Sequence, residues 1–355
     1  MKVLAALLKY DYGKRDRGES MEKLYFFPAL QKTASSVTPF WLEENGYPND
    51  LDGLQERIIA FAAEAKPDLI YLMLMRNEIT LETIKQLSNQ YMTVNWFGDD
   101  PWRFDSFTRF VAPVLSWSIT TDKYSLEKYR DLGIKQVILS QWATGCYIED
   151  VDFTSINYRF DVSFVGGKNS TREWIIDQLA KRKIAVTCFG SDWPEGRVSA
   201  QEMKDIFLKS KVNLNLSNSV QGDRAYHDFI RQRLFRSIFE PRGKSTIRYL
   251  KEIKRGLNAV LAHQPKQNEQ VKARNFEISG CGGFQLSQYA LGLEDYFIPG
   301  KEIALFSTID ELERQIVYYL GHEDQRKRIA EEGYKRAQGH TYENRFREIF
   351  KEMRI

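Results

Sequence analysis

Arg274–Gln288 reads RNFEISGCGGFQLSQ. It has the outline of a short helix running into a strand, with one acid, Glu277, near the helix start. Gly282-Gly283 follows, then an apolar run that begins at Phe284. Two adjacent glycines leave backbone N–H groups uncovered by any Cβ, so a phosphate or a sugar can come close. A carboxylate a helical turn or so away can accept two hydrogen bonds from a ribose diol. The same spacing also suits a buried glycine corner that packs a helix on a sheet. Both readings place the stretch inside a βα repeat.

The residues on either side continue that repeat. Asp161–Val165, Ile184–Phe189, Val212–Leu216, Phe284–Leu286 and Ile303–Phe306 are short apolar runs separated by helical segments. Ser170–Glu173, Ser199–Glu202 and Thr308–Glu311 each fit a capping box and mark helix starts. An earlier series has the same form: Val3–Leu8, Leu69–Met75, Thr93–Phe97, Leu115–Thr121 and Gln136–Ser140. Leu51–Ala65, Thr80–Leu87 and Tyr124–Asp131 carry helical spacing between them. Gly145–Tyr158 lacks periodicity and reads as a linker. Two successive βα series predict an α/β chain of two Rossmann-like domains with parallel sheets. A crevice between two such domains is the default place for a ligand.

Composition agrees. A chain of 355 residues is long enough for two ordinary domains, and 43% hydrophobic with 28% charged residues is a globular balance. A net charge of +3 implies no strong overall field. Cys146, Cys188 and Cys281 are far apart and odd in number, which points to a reducing, cytoplasmic setting rather than a disulfide framework. The N-terminal apolar run is too short for a secretory signal, and no run approaches the ~18 apolar residues that span a bilayer.

Glu277-x-x-x-Cys281-Gly282, within the wider segment, resembles the E-A-M-A-C-G segment of GT-B glycosyltransferases. The full stretch is similar to the glycosyltransferase family 1 group that includes the CgeB-type spore maturation proteins. The likeness runs from about Asp161 to the C-terminus. It implies a GT-B-like fold, with two Rossmann-like domains facing across a cleft and a C-terminal helix, Tyr342–Met353, returning to the first domain. The domains would then be 1–150 with 342–355, on the acceptor side, and 158–341, binding the nucleotide sugar. The implied activity is transfer of a sugar from a nucleotide-diphosphate donor, a UDP-sugar, with no further cofactor and no metal. Glu277 would hold the ribose.

Candidate residues follow from that chemistry. The run Gly166-Gly167-Lys168-Asn169-Ser170-Thr171-Arg172 joins a strand to a helix N-terminus, whose free N–H groups suit a diphosphate. It matches neither a Walker A loop nor G-x-G-x-x-G. Arg172 and Arg274, with Lys168, would offset charge developing on the leaving diphosphate. Gly282, Gly283 and Phe284 complete the expected grip. Gly190 and its neighbours, with Asn215–Asn218, would line the base. Asp11 and Asp100, each after a strand of the first series, are candidate bases near an acceptor hydroxyl. Glu269 stands eight positions before Glu277, the E-x7-E spacing of retaining enzymes, but in a polar loop. The four histidines show no ligand spacing, and the D-x-D at Asp150–Asp152 falls in the linker, so no metal site is expected.

Gly222–Arg274 holds 13 Lys+Arg against 5 Asp+Glu. It reads as a basic helical insertion, 222–268, between two parts that match the family. A competing reading of the whole chain follows: a non-catalytic scaffold of the same fold that docks a partner or an anionic membrane surface through this stretch. It lacks the interleaved aromatics of RNA-binding surfaces, so no nucleic-acid partner is expected.

Overall fold

The computed structural model describes residues 1–76, 78–216 and 269–355. They form two compact units: Met1–Gly145 with Val271–Glu277 and Ala337–Ile355, and Cys146–Gln270 with Ile278–Arg336. The basic stretch 222–268 lies outside the described residues.

The first unit is built on six strands: β1 Lys2–Leu7, β2 Ser36–Trp41, β3 Leu69–Leu72, β4 Met92–Phe97, β5 Trp117–Thr120 and β6 Val137–Leu139. Their order is β2-β1-β3-β4-β5-β6 and every pairing is parallel. Leu4, Ala6, Ile70 and Leu72 share one face and pack on Leu54, Ile58, Ala62, Ile84 and Leu87 from the helices Leu51–Ala65 and Leu81–Ser88. The other face is aromatic. Tyr71 and Trp96 meet Phe346 of the C-terminal helix Tyr342–Met353, and Phe26 packs edge-on against Trp96 at 5.2 Å. The C-terminal helix thus belongs to the unit formed by the start of the chain, the return that the resemblance implies. The strand missing from the sequence reading is β2. It carries Pro39, which cannot donate to a ladder, and it sits at the sheet edge where that is tolerated.

The second unit has five parallel strands: β7 Phe160–Val165, β8 Thr187–Phe189, β9 Ser210–Asn215, β10 Gln285–Gln288 and β11 Ala304–Phe306. Their order is β11-β10-β9-β7-β8. Val162, Phe164, Val212, Leu214 and Leu286 face Ile175, Leu179, Leu312 and Ile316 across the main core. The opposite face carries Ser163, Asn213, Asn215, Gln285 and Ser287, all buried. Buried parallel strands are usually apolar on both faces. Here several of the polar side chains bond one another and the backbone: Ser163 Oγ donates to Asn213 Oδ1 at 3.2 Å, and Asn213 Nδ2 donates to Phe207 O at 2.9 Å.

Caps explain most helix starts. Ser199 and Glu202 form the full capping box, and Thr308 caps Glu311 N. The helix Ser170–Lys181 starts one residue earlier than expected, because Asn169 rather than Ser170 supplies the cap to Arg172 N.

Candidate functional site

In both sheets the first strand lies between the second and the third. Open α/β sheets of this order leave a crevice at the carboxyl ends of the first and third strands, where connections depart in opposite directions. In the second unit those strands are β7 and β9, and the expected phosphate run leaves the end of β7.

Arg172 straddles that point. Its Nη1 donates to Gly167 O at 2.7 Å, while Nε and Nη2 donate to Leu216 O at 3.3 and 3.0 Å. The guanidinium therefore ties the loop after β7 to the residue after β9. The sequence reading gave Arg172 direct charge on the leaving diphosphate; these three donors are instead turned onto backbone carbonyls, and the side chain shapes the loop. Gly190 touches the same loop. Its φ is +128°, and a Cβ there would lie 2.3 Å from Gly166 O. Trp193 Nε1 donates to Gly166 O at 2.9 Å, and Lys168 N donates to Ser191 O at 2.9 Å. Lys168 Nζ sits 4.9 Å from the Trp193 ring centre and 3.1 Å from Glu173. Gly167 is exposed with open space where a side chain would stand. Asn215, at the end of β9, donates to Ser287 Oγ at 3.2 Å. Gly166, Gly167, Lys168, Arg172, Gly190 and Asn215 are thus clustered by the fold.

The glycine pair is a correction. Gly282 N donates to Ser279 O at 2.9 Å and Gly283 N to Ile278 O at 3.0 Å, so both amides close the helix Ala273–Gly280. A Cβ on Gly283 would stand 2.7 Å from Phe207 O, and one on Gly282 would stand 2.9 Å from Val151 Cγ1. The glycine corner is buried packing rather than a phosphate grip. Phe284 likewise belongs to the core, 4.6 Å from the Tyr319 ring.

Val271–Glu277, which sequence order assigns to the second series, makes close contacts in the first unit. Lys272 Nζ pairs with Asp99 at 2.5 Å and donates to Gly98 O at 3.3 Å, just past β4. Phe276 meets the His340 ring edge-on at 5.3 Å. On the same helix Arg274 Nη1 pairs with Glu277 Oε2 at 2.7 Å, across one turn. Glu277 is 6% exposed, so Arg274 holds a nearly buried carboxylate in a fixed pose.

The two candidate bases differ in placement. Asp100 is fully buried and accepts from Thr108 Oγ1 and Thr120 Oγ1 at 2.6 Å each, and from the Tyr129 hydroxyl at 2.8 Å. Burial pushes its carboxyl up to about 6 against those three donors. It serves the interior of the first unit and does not face an acceptor. Asp11 is half-buried in the loop after β1, its N–H donating to Gly18 O at 3.0 Å. Glu269 Oε1 accepts from Gln288 Nε2 at 3.3 Å. Asp152, of the D-x-D, is engaged by Thr154 and Ser155 in its own turn, and these bonds hold its carboxyl down at about 2.

The family pattern of glycosyl transferase-like proteins matches residues 171–238 and 242–351, half of the chain. The chain belongs to the glycosyl transferase-like family. The bounds of the match lie on both sides of 239–241, within the basic stretch. Among solved structures, the lipopolysaccharide outer core galactosyltransferase WaaB, in its apo form, aligns with a TM-score of 0.60 at 11% identity, covering 99% of this chain and 100% of its own. Sucrose-phosphate synthase of Thermosynechococcus elongatus aligns at 0.55 with 12% identity, covering 99% and 98%. HepE of Anabaena, solved with UDP-glucose, aligns at 0.54 with 16% identity, covering 100% and 99%. These likenesses establish the GT-B fold for this glycosyltransferase. No curated protein matches the sequence significantly.

Sequence reasoning missed Lys272 and the buried Glu22, and named Trp193 only as part of a base-lining loop. Lys272 had only its charge to announce it. Trp193 stood in a loop considered for the base. Glu22 had a signal: it shares a helical stripe with Phe26, Ala29 and Leu30, all buried.

Proposed function

We propose that this glycosyltransferase moves a sugar from a UDP-sugar to a hydroxyl-bearing acceptor without a metal ion. The observation that carries the reading is the crevice end of β7 and β9, where Arg172 fixes a loop whose Gly167 stays open. The loop leads into the N-terminus of a twelve-residue helix, Ser170–Lys181, whose dipole favours a diphosphate. Lys168, in the same loop, supplies a cation for charge that develops on the leaving group. Glu277 keeps the ribose role given by the resemblance, with Arg274 orienting its carboxylate. Choice of UDP draws on HepE, whose structure holds UDP-glucose. Within the family, the likeness to CgeB-type proteins favours a protein or surface-polymer acceptor. Among the described residues no helix is long and apolar enough to cross a membrane.

A thermal-shift panel of UDP, GDP, TDP, CDP and their sugars tests this. A ligand that binds only the folded state stabilises it by about 2.7 kcal/mol at a hundredfold excess over Kd. UDP and UDP-sugars should raise the melting temperature most. No shift with any nucleotide at millimolar concentration would refute donor binding.

A further inference from the structure

One helix of the first unit turns large aromatic rings away from the core. Asp100–Arg103, the π-turn Phe104–Thr108 and Arg109–Val111 run on as a single helix after β4. Phe104, Phe107 and Val111 bury one side of it in the core of the first unit. Trp102 and Phe110 stand outside, 41% and 55% exposed. At 3.6 residues per turn an unbroken α-helix would carry Phe110 about 80° round from Trp102. The wider π-turn between them takes up that excess, and both rings stay on the solvent side. The outer side of a surface helix is ordinarily polar.

Cations sit on these rings. The Arg103 guanidinium lies 5.5 Å from the Trp102 ring centre and 5.0 Å from that of Phe107, and the Arg109 guanidinium lies 5.7 Å from that of Phe110. Lys128 Nζ, from the neighbouring helix Ser125–Asp131, is 5.3 Å from the Phe104 ring centre and 3.5 Å from Asp105. One turn before Lys128, Tyr124 is 49% exposed, with Lys123 Nζ 5.4 Å from its ring centre. Asp122 is held at its own helix start, accepting from Ser125 Oγ at 2.6 Å and Tyr124 N at 3.3 Å. Residues 102–130 hold five Lys+Arg and three Asp+Glu, so the stretch is positive while Asp105 and Asp122 are already engaged within it.

Exposed rings grouped with cations suit one kind of surface. At a bilayer interface Trp, Tyr and Phe settle at the depth of the headgroups, and guanidiniums beside them reach lipid phosphates. Anionic lipids add attraction for each cation held near the membrane.

We propose that this face of the first unit, Trp102 and Phe110 with Arg103, Arg109 and Lys128, docks on an anionic phospholipid bilayer. The proposal stands apart from the transfer reading and does not need it.

The test mixes the full chain with vesicles of phosphatidylcholine alone, or of phosphatidylcholine with phosphatidylglycerol, and measures the fraction that sediments. Wild type should bind the anionic vesicles at least about tenfold more tightly than the neutral ones, with the gain fading as salt rises. Arg109→Ser with Phe110→Ser should weaken binding to anionic vesicles at least about tenfold at an unchanged melting temperature. Trp102→Phe should bind nearly as well as wild type. It should nonetheless lose much of the fluorescence quenching that wild type shows on anionic vesicles with brominated acyl chains, a readout that does not depend on the double variant folding. Wild type that binds neither vesicle, a double variant that binds like wild type, or quenching unchanged in Trp102→Phe overturns the proposal. An affinity for single-stranded RNA that exceeds the affinity for anionic vesicles, and falls in the same double variant, also overturns it.

Discussion

Replacing Glu22 by glutamine should change how stability depends on pH, whatever the acceptor. Burial holds this carboxyl at about 7 in the fold, against an ordinary value of 4.5. The folded state therefore keeps a proton that the unfolded chain has already lost. The associated stability is fully present below about pH 4.5 and is lost as pH rises through about 7. A shift of roughly 2.5 units corresponds to about 3 kcal/mol at 1.36 kcal/mol per unit. Glutamine fills nearly the same volume and cannot ionise, so its protein escapes this loss. Asp100 and Glu78, whose carboxyls are also raised by burial, titrate in both proteins and cancel in the comparison. Urea unfolding followed by tryptophan fluorescence at about pH 5 and about pH 8.5 measures the difference. The variant should match wild type to within about 1 kcal/mol at the lower pH and exceed it by about 3 kcal/mol at the higher. With a slope near 2 kcal/mol per molar urea, the midpoint should move by about 1.5 M. A stability difference that is the same at both pH values would show that Glu22 is not a desolvated, titrating carboxyl.

Other substitutions probe the crevice and the interior. Gly190→Ala places a Cβ 2.3 Å from Gly166 O at a φ of +128°, so urea unfolding should show a loss of more than about 2 kcal/mol. Arg172→Lys keeps the charge but cannot span Gly167 O and Leu216 O, and calorimetric UDP affinity should fall about tenfold with about 1–2 kcal/mol of stability. Asp100→Ala strands three buried hydroxyls and should cost about 3 kcal/mol or more in urea unfolding, while the melting shift induced by UDP persists in the folded fraction.

The βα alternation was legible because buried parallel strands leave short apolar runs with helical spacing between them. β2 escaped because an edge strand need not be apolar, and Ser36–Trp41 is half exposed with a proline in it. The loop from β7 into the helix Ser170–Lys181 was readable from a glycine pair next to a helix start. What Arg172 does there was not, since its partners are backbone carbonyls 5 and 44 residues away. Gly282-Gly283 misled because sequence cannot say whether a bare amide faces a ligand or caps its own helix. Asp100 misled for a related reason: an acid after a strand looks the same whether it faces solvent or three interior hydroxyls. Lys272 and Asp99 pair across 173 residues, a separation that local spacing cannot reveal.

The most direct test of nucleotide-sugar transfer by this chain is calorimetric titration of UDP and UDP-glucose into wild type and Glu277→Gln. Saturable one-to-one binding by wild type, weakened at least about tenfold when the ribose loses its carboxylate partner, is the predicted result. Equal affinity in the two proteins, or no binding of either ligand to wild type, would contradict the account.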